Sequence, residues 1–145
     1  MRAAIAVLKG RRGGGPQLLA YREGRRWHDV SSRDINEFVK EVVGGDVSAK
    51  DFRTWHGTVV AAAALAETAD AVSTKTARRR AVRRAAERVS EQLGNTPAVA
   101  RRSYVDPRVV DRFEAGETIA APSATSSDER ARRRTERAVL RLLAQ

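Results

Sequence analysis

Leu93-Gly94-Asn95-Thr96-Pro97-Ala98-Val99-Ala100-Arg101-Arg102-Ser103-Tyr104 stops one basic helix, starts another at once and delivers a tyrosine at its end. Gly94 suits the left-handed conformation that closes a helix, Thr96 suits an N-cap, and Pro97 fits the first helical position, where a missing N–H costs nothing. Asn95 is thereby pinned at a tight corner, and Tyr104 becomes a candidate nucleophile. The same punctuation also describes an ordinary helix-turn-helix corner with a packed tyrosine, so other stretches decide between the two.

Upstream of the corner, Ala77 to Leu93 predicts a helix with Val82, Ala85, Ala86, Val89 and Leu93 inward. Arg78, Arg79, Arg80, Arg83, Arg84 and Arg88 occupy its other faces, either touching a polyanion or only raising the local potential. Before it, Ser48-Ala49-Lys50-Asp51 offers a variant capping box for a helix reaching about Glu67. Its expected buried stripe is Phe52, Trp55, Val59, Ala63 and Ala66. Arg53 sits a quarter-turn from that stripe, where its guanidinium can face a groove and hold either a phosphate or a neighbouring carboxylate.

Further back, Ile35, Phe38, Val39, Val42 and Val43 share one face of a helix that begins near Ser32 and ends at Gly44-Gly45. Gln17 to Tyr21 reads as a strand or an extended leg, followed by a polar turn, Arg22 to Arg26, and Trp27. Gly13-Gly14-Gly15-Pro16 reads as a flexible connector, since no Gly-Lys-Ser/Thr follows to make it a phosphate loop. Arg2 to Lys9 reads as the end of a helix. After Tyr104 the sequence predicts a short helix from Pro107 through Phe113 and then a Gly/Pro/Ser-rich linker. A last helix, Arg130 to Leu143, is capped by Ser126 with Glu129. With a basic first half and a thin apolar edge, this helix is expected to pack loosely, lie on a polyanion or move.

Composition bounds the function. The chain has 145 residues, 28 Lys plus Arg against 18 Asp plus Glu, and a net charge of +10. That balance attracts polyanions through counterion release, so nucleic acid is the expected partner. Nearly all the positive charge is arginine, whose fork matches phosphate oxygens bidentately. Absence of cysteine excludes disulfides, thiolate chemistry and cysteine-ligated zinc. His28 and His56 stand far apart without a third ligand at metal spacing, so no metal site is expected. No apolar run approaches the ~20 residues of a membrane span, and a cytoplasmic, nucleoid location is expected. Only 5% aromatic residues and abundant alanine predict a mainly α fold of about six helices.

Taken together, Ser48-Ala49-Lys50-Asp51-Phe52-Arg53-Thr54-Trp55 and, some forty residues later, Leu93-Gly94-Asn95-Thr96-Pro97 with Arg102-Ser103-Tyr104 resemble the C-terminal catalytic region of type IB DNA topoisomerases. The similarity is to the bacterial, poxvirus-like branch and spans roughly residues 17–113. It implies the helical catalytic domain of the DNA breaking-rejoining superfamily, which includes the tyrosine recombinases. By resemblance Tyr104 is the nucleophile, Arg53 clamps the phosphate, Asn95 stands where other members carry a histidine, and Lys50 contacts DNA. The family relaxes supercoils through a 3′-phosphotyrosyl intermediate, acts as a monomer on double-stranded DNA, and needs neither ATP nor an obligatory metal. It also uses another arginine and a hairpin lysine that precede this region, and no residue among 1–16 matches either, Lys9 lying in a helical context. The resemblance therefore implies a piece of an enzyme, dependent on a missing N-terminal part and weak or inactive alone.

The expected organisation is a helix end and connector over 1–16, a catalytic domain fragment over 17–113, a linker over 114–127 and a basic helix over 128–145. Arg53 and Asn95 are expected to converge on one basic groove, with the Tyr104 segment free to be displaced when DNA is absent. Rival readings are a tyrosine recombinase, against which Lys50-Asp51-Phe52-Arg53 replaces the usual His-x-x-Arg, a non-catalytic basic DNA-binding module, and a helical interaction domain without a DNA role.

Overall fold

The computed structural model describes residues 2–121 and 129–144. Among them the chain forms seven α-helices, one β-hairpin and a single 3₁₀ turn, divided into two compact units, residues 1–49 and 50–145. The mainly helical class is as the composition predicts. No described helix is long and apolar enough to cross a membrane.

In the first unit, α1 (Arg2–Gly10) leads into the glycine stretch, and that stretch is no free connector. The Arg11 side chain, only 8% exposed, donates to the Leu8 and Leu18 carbonyls at 2.9 Å each and to Gly15 O, Gln17 O and the Asp29 carboxylate. Asp29 in turn accepts from the backbone N–H groups of Gly15 and Gln17, at 3.2 and 3.4 Å. A Cβ at Gly15 would overlap that carboxylate. The glycines thus let the backbone wrap an Arg–Asp pair, a demand for close approach that the sequence reading took for flexibility.

Strands β1 (Ala20–Glu23) and β2 (Arg26–Asp29) pair antiparallel, with Tyr21 opposite His28 and Arg22 opposite Trp27. The stretch read as a polar turn is therefore mostly strand. Only Gly24 and Arg25 make the bend, with Gly24 at φ +58°. Helix α2 (Ser32–Val43) has a full capping box, in which Ser31 Oγ accepts from the Asp34 N–H and the Asp34 carboxylate accepts from the Ser31 N–H at 2.7 Å. Those bonds to Ser31 hold the Asp34 carboxyl below its ordinary value. The helix forms as its periodicity predicts, yet Phe38, Val42 and Val43 on its apolar face are exposed.

The second unit is built on α3 (Ala49–Ala66), α4 (Lys75–Leu93), α5 (Pro97–Tyr104), α6 (Pro107–Glu114) and α7 (Glu129–Leu143), with the 3₁₀ turn Ala69–Ala71 between α3 and α4. One apolar cluster joins Leu65, Val82, Ala85, Val109, Phe113, Ile119, Val139 and Leu142. A second, of Ala61, Val89, Ala100 and Val105, fastens α3, α4 and α5 together. The buried side of α3 is Gly57, Thr58, Val59, Ala61, Ala62, Leu65 and Ala66, while Phe52 is 51% exposed and Ala63 half-buried. The expected stripe is thus rotated. Of the expected stripe, Val59 and Ala66 are buried and Trp55 packs half-buried on the first cluster, while the closest helix contacts are made by Gly57, Thr58, Ala61 and Ala62.

Two further expectations change. Ile119, inside the stretch read as linker, is 6% exposed. Helix α7 is anchored rather than loose: Val139 is fully buried, Leu142 is 7% exposed, and Arg108 donates to the Leu143 carbonyl at 3.2 Å. The predicted Ser126 cap lies outside the described residues.

Candidate active site

The corner after α4 is built as its residues dictate. Gly94 takes φ +66°, ψ +42°, and its N–H returns to Ser90 O, as does that of Asn95 at 3.1 Å. Thr96 caps α5 by accepting from Val99 N–H, with Pro97 in the first turn. Ala100, fully buried, seats α5 on the second apolar cluster. Tyr104 ends the helix half-buried, and Asp106 caps α6 by accepting from Arg108 N–H at 2.9 Å.

One side of α3 holds this corner in place. Arg53 donates to the Leu93 carbonyl at 2.9 Å, forty residues away in sequence, and its guanidinium carbon lies 5.0 Å from the centre of the Tyr104 ring. The Tyr104 ring is therefore not displaced from the corner but sits under the arginine. One turn on, Gly57 brings the α3 backbone against Tyr104. A Cβ there would overlap the Tyr104 carbonyl oxygen and stand 3.2 Å from its carbonyl carbon and Cβ. The neighbouring Thr58, 2% exposed, accepts from the Asp106 N–H at 3.0 Å through Oγ1. His56 Nε2 meets Gln92 Oε1 at 3.0 Å, tying the last turn of α4 to the same helix.

Asn95 supplies the most informative electrostatic feature. Both polar atoms of its side-chain amide are buried and have no hydrogen-bond partner among the described residues. A buried amide without a partner is unusual in a folded protein, where it costs on the order of 1–3 kcal/mol. Arg53 uses one of its five N–H donors on Leu93, leaving the rest of its fork open. Lys50, exposed, lies one turn before Arg53 at the start of α3. On the far side, the bidentate Arg108 fork holds the Asp106 carboxyl below its ordinary value, its oxygens 2.7–3.2 Å from the guanidinium.

Arg53, the Leu93 carbonyl and Tyr104 thus come together, and Asn95 follows two residues along the same corner. Gly57 and Thr58, the residues that set the distance between α3 and the tyrosine, were missed by sequence reasoning. The available signal was a glycine inside an otherwise strong helix, four residues after Arg53, which marks a close backbone approach.

A helical domain that presents a tyrosine under an arginine, beside an unsatisfied buried amide and in a strongly basic chain, is suited to phosphodiester chemistry. Residues 19–125 match the family profile of the eukaryotic DNA topoisomerase I catalytic core, well over half the chain. The protein belongs to that family and so to the type I DNA topoisomerases, enzymes that bind DNA. No curated protein matches the chain as a relative.

Proposed function

We propose that the chain carries the tyrosine half-site of a type IB topoisomerase of the bacterial, poxvirus-like branch, working in the nucleoid on duplex DNA. Tyr104 Oη attacks a backbone phosphorus, the P–O5′ bond breaks, and a 3′-phosphotyrosyl ester forms while the 5′-oxygen leaves. The tyrosine gives up its proton and the leaving oxygen takes one up. Reversal by the 5′-hydroxyl reseals the strand, and swivelling between the two steps relaxes supercoils without ATP or an obligatory metal.

The observation that carries this reading is the Arg53 guanidinium 5.0 Å from the Tyr104 ring, beside the corner that buries the unpartnered Asn95 amide. In the in-line transition state negative charge accumulates on the non-bridging oxygens. A fork from Arg53 and an N–H from Asn95 stabilise it more than the ground state. Lys50 adds a contact to the DNA backbone. Asn95 can donate a hydrogen bond but not a proton, so the leaving oxygen must take its proton from a group other than Asn95. Without such an acid the rate falls on the order of 10²–10⁴-fold. We expect the chain to work as a monomer and to need residues beyond this set for full activity.

The test is a nicked suicide duplex, labelled at the 5′ end of the strand to be cleaved, incubated with the chain and with Tyr104→Phe, alone and supplemented with the upstream region of a bacterial type IB enzyme. A labelled covalent adduct on denaturing gels, lost in Tyr104→Phe, is expected. Absence of any adduct in every mixture, despite salt-sensitive DNA binding, would overturn the catalytic reading in favour of a binding module.

A further inference from the structure

Helix α7 contains six arginines, Arg130, Arg132, Arg133, Arg134, Arg137 and Arg141, and two carboxylates, Glu129 and Glu136. The carboxylates are not spread evenly. Glu136 holds Arg132 at 3.2 Å and Glu129 holds Arg133 at 3.0 Å, both pairs on one flank of the helix. Arg130, Arg134, Arg137 and Arg141 are exposed and have no carboxylate partner among the described residues. Their spacing, i, i+4, i+7 and i+11, places them in one row about 16 Å long. Val139 and Leu142, buried in the core, occupy the opposite side of the helix, so packing turns the row outward.

Four aligned guanidiniums repel one another, and the helix has glutamates that could relieve them but stand elsewhere. An ordinary solvated surface intersperses both signs. A row of one sign with its counter-charges set aside complements a polymer of regularly spaced negative charge. We infer that α7 is a docking surface for the phosphate backbone of duplex DNA, separate from the residues around Tyr104. Each guanidinium can meet phosphate oxygens bidentately, and the row carries no information about base sequence. A membrane surface fits less well, because the apolar side that would enter the lipid is already spent on the protein core. The inference rests on the DNA-acting reading, and it assigns to α7 affinity for DNA rather than chemistry.

The test uses the full chain carrying Tyr104→Phe, so that covalent trapping does not distort affinity, and a short labelled duplex titrated over a range of salt. Arg130→Gln/Arg134→Gln/Arg137→Gln/Arg141→Gln is compared with Arg132→Gln/Arg133→Gln, circular dichroism confirming that both keep their helix content. Each lost phosphate contact should reduce the slope of log K against log salt by about 0.9. The row variant is expected to lose about three and a half units of slope and the flank variant less than one. An unchanged slope in the row variant, an equal loss in the flank variant, or displacement of duplex by polyglutamate as readily as by unlabelled duplex would overturn the proposal.

Adduct formation by the tyrosine-containing row variant, read at saturating duplex with the supplemented mixture, separates the two readings. Adduct from the unsubstituted chain with no change of slope in the row variant sinks the surface and leaves the catalytic reading standing. A fallen slope with no adduct from any tyrosine-containing chain sinks the catalytic reading and leaves the surface.

Discussion

Helices α2 and α3 carry comparable sequence signals and end in opposite situations. Both begin close to where the sequence places them, and both show apolar residues at helical spacing. On α2 the large residues of that face are open to solvent, Phe38 at 64% and Val42 at 66%. On α3 burial falls on Leu65, at 1%, and on small residues such as Ala61, at 2%, while the phenylalanine at its start is half open. Periodicity therefore specifies that a helix forms and which residues share a side. What covers that side, and how closely, is set by the partner element, and close partners select Gly, Ala and Thr.

The sharpest way to break this contrast is to enlarge the smallest residue of α3. In a helix surrounded by water, Gly→Ala stabilises by up to ~1 kcal/mol through propensity alone. At Gly57 the sign should reverse, because the added methyl meets the backbone of Tyr104 rather than a movable side-chain tip. Gly57→Ala is expected to lower stability in urea by about 1–3 kcal/mol, the usual cost of overpacking. It should also cut adduct formation on the order of 10²-fold in the supplemented assay, since a shift of about 1 Å at a reacting group has that effect. A stabilised variant with full cleavage would show that α3 and the tyrosine are not held this closely in solution.

This comparison also shows what the sequence could and could not reveal. Gly94, Thr96 and Pro97 declared the corner because each acts through its own backbone geometry, which needs no knowledge of neighbours. Arg53, Asn95 and Tyr104 could be grouped as a motif. Their mutual placement depends on Gly57 and Thr58, whose importance lies in what they touch forty-odd residues away. The same blindness turned the Gly13–Gly15 stretch into a presumed linker, although its glycines are required by the Arg11–Asp29 pair they enclose. Long-range contact, rather than local propensity, is where the reading stopped. Burial of Ile119 and the anchoring of α7 through Val139 belong to the same class.

Asp106 sharpens the contrast at intermediate size, since its N–H is fixed by Thr58 of α3 and its carboxylate caps α6. Removing an N-cap side chain costs about 0.5–2 kcal/mol, so Asp106→Ala should lose about 1 kcal/mol at neutral pH. Arg108 depresses the folded-state pKa of this carboxyl below its ordinary value near 3.8. The stabilisation it gives is therefore complete above the unfolded-state pKa and is lost as pH falls through the lower folded-state value. Urea midpoints measured downward from about pH 5 should fall more steeply in the unsubstituted protein than in Asp106→Ala, the two curves drawing together once pH passes below the folded-state value. Parallel curves would mean that the Arg108 fork contributes nothing to stability.

The smallest effect belongs to α2, and its smallness is the informative outcome. Phe38 is the largest side chain on that helix and among the most exposed apolar residues of the chain. If the face is open in solution as it is here, Phe38→Ser removes little burial, and the urea midpoint should move by no more than about 0.5 kcal/mol equivalent. A comparable substitution on the covered side of α3, at Leu65, would fall in the range of about 2–5 kcal/mol expected of a core truncation. The ratio between the two is a direct reading of how unequally two similar-looking helices are used. Should Phe38→Ser instead cost more than about 1 kcal/mol, and the cost grow with protein concentration, the apolar side of α2 is covered by another copy in solution. The difference between the helices would then be one of which chain supplies the cover, not whether there is one.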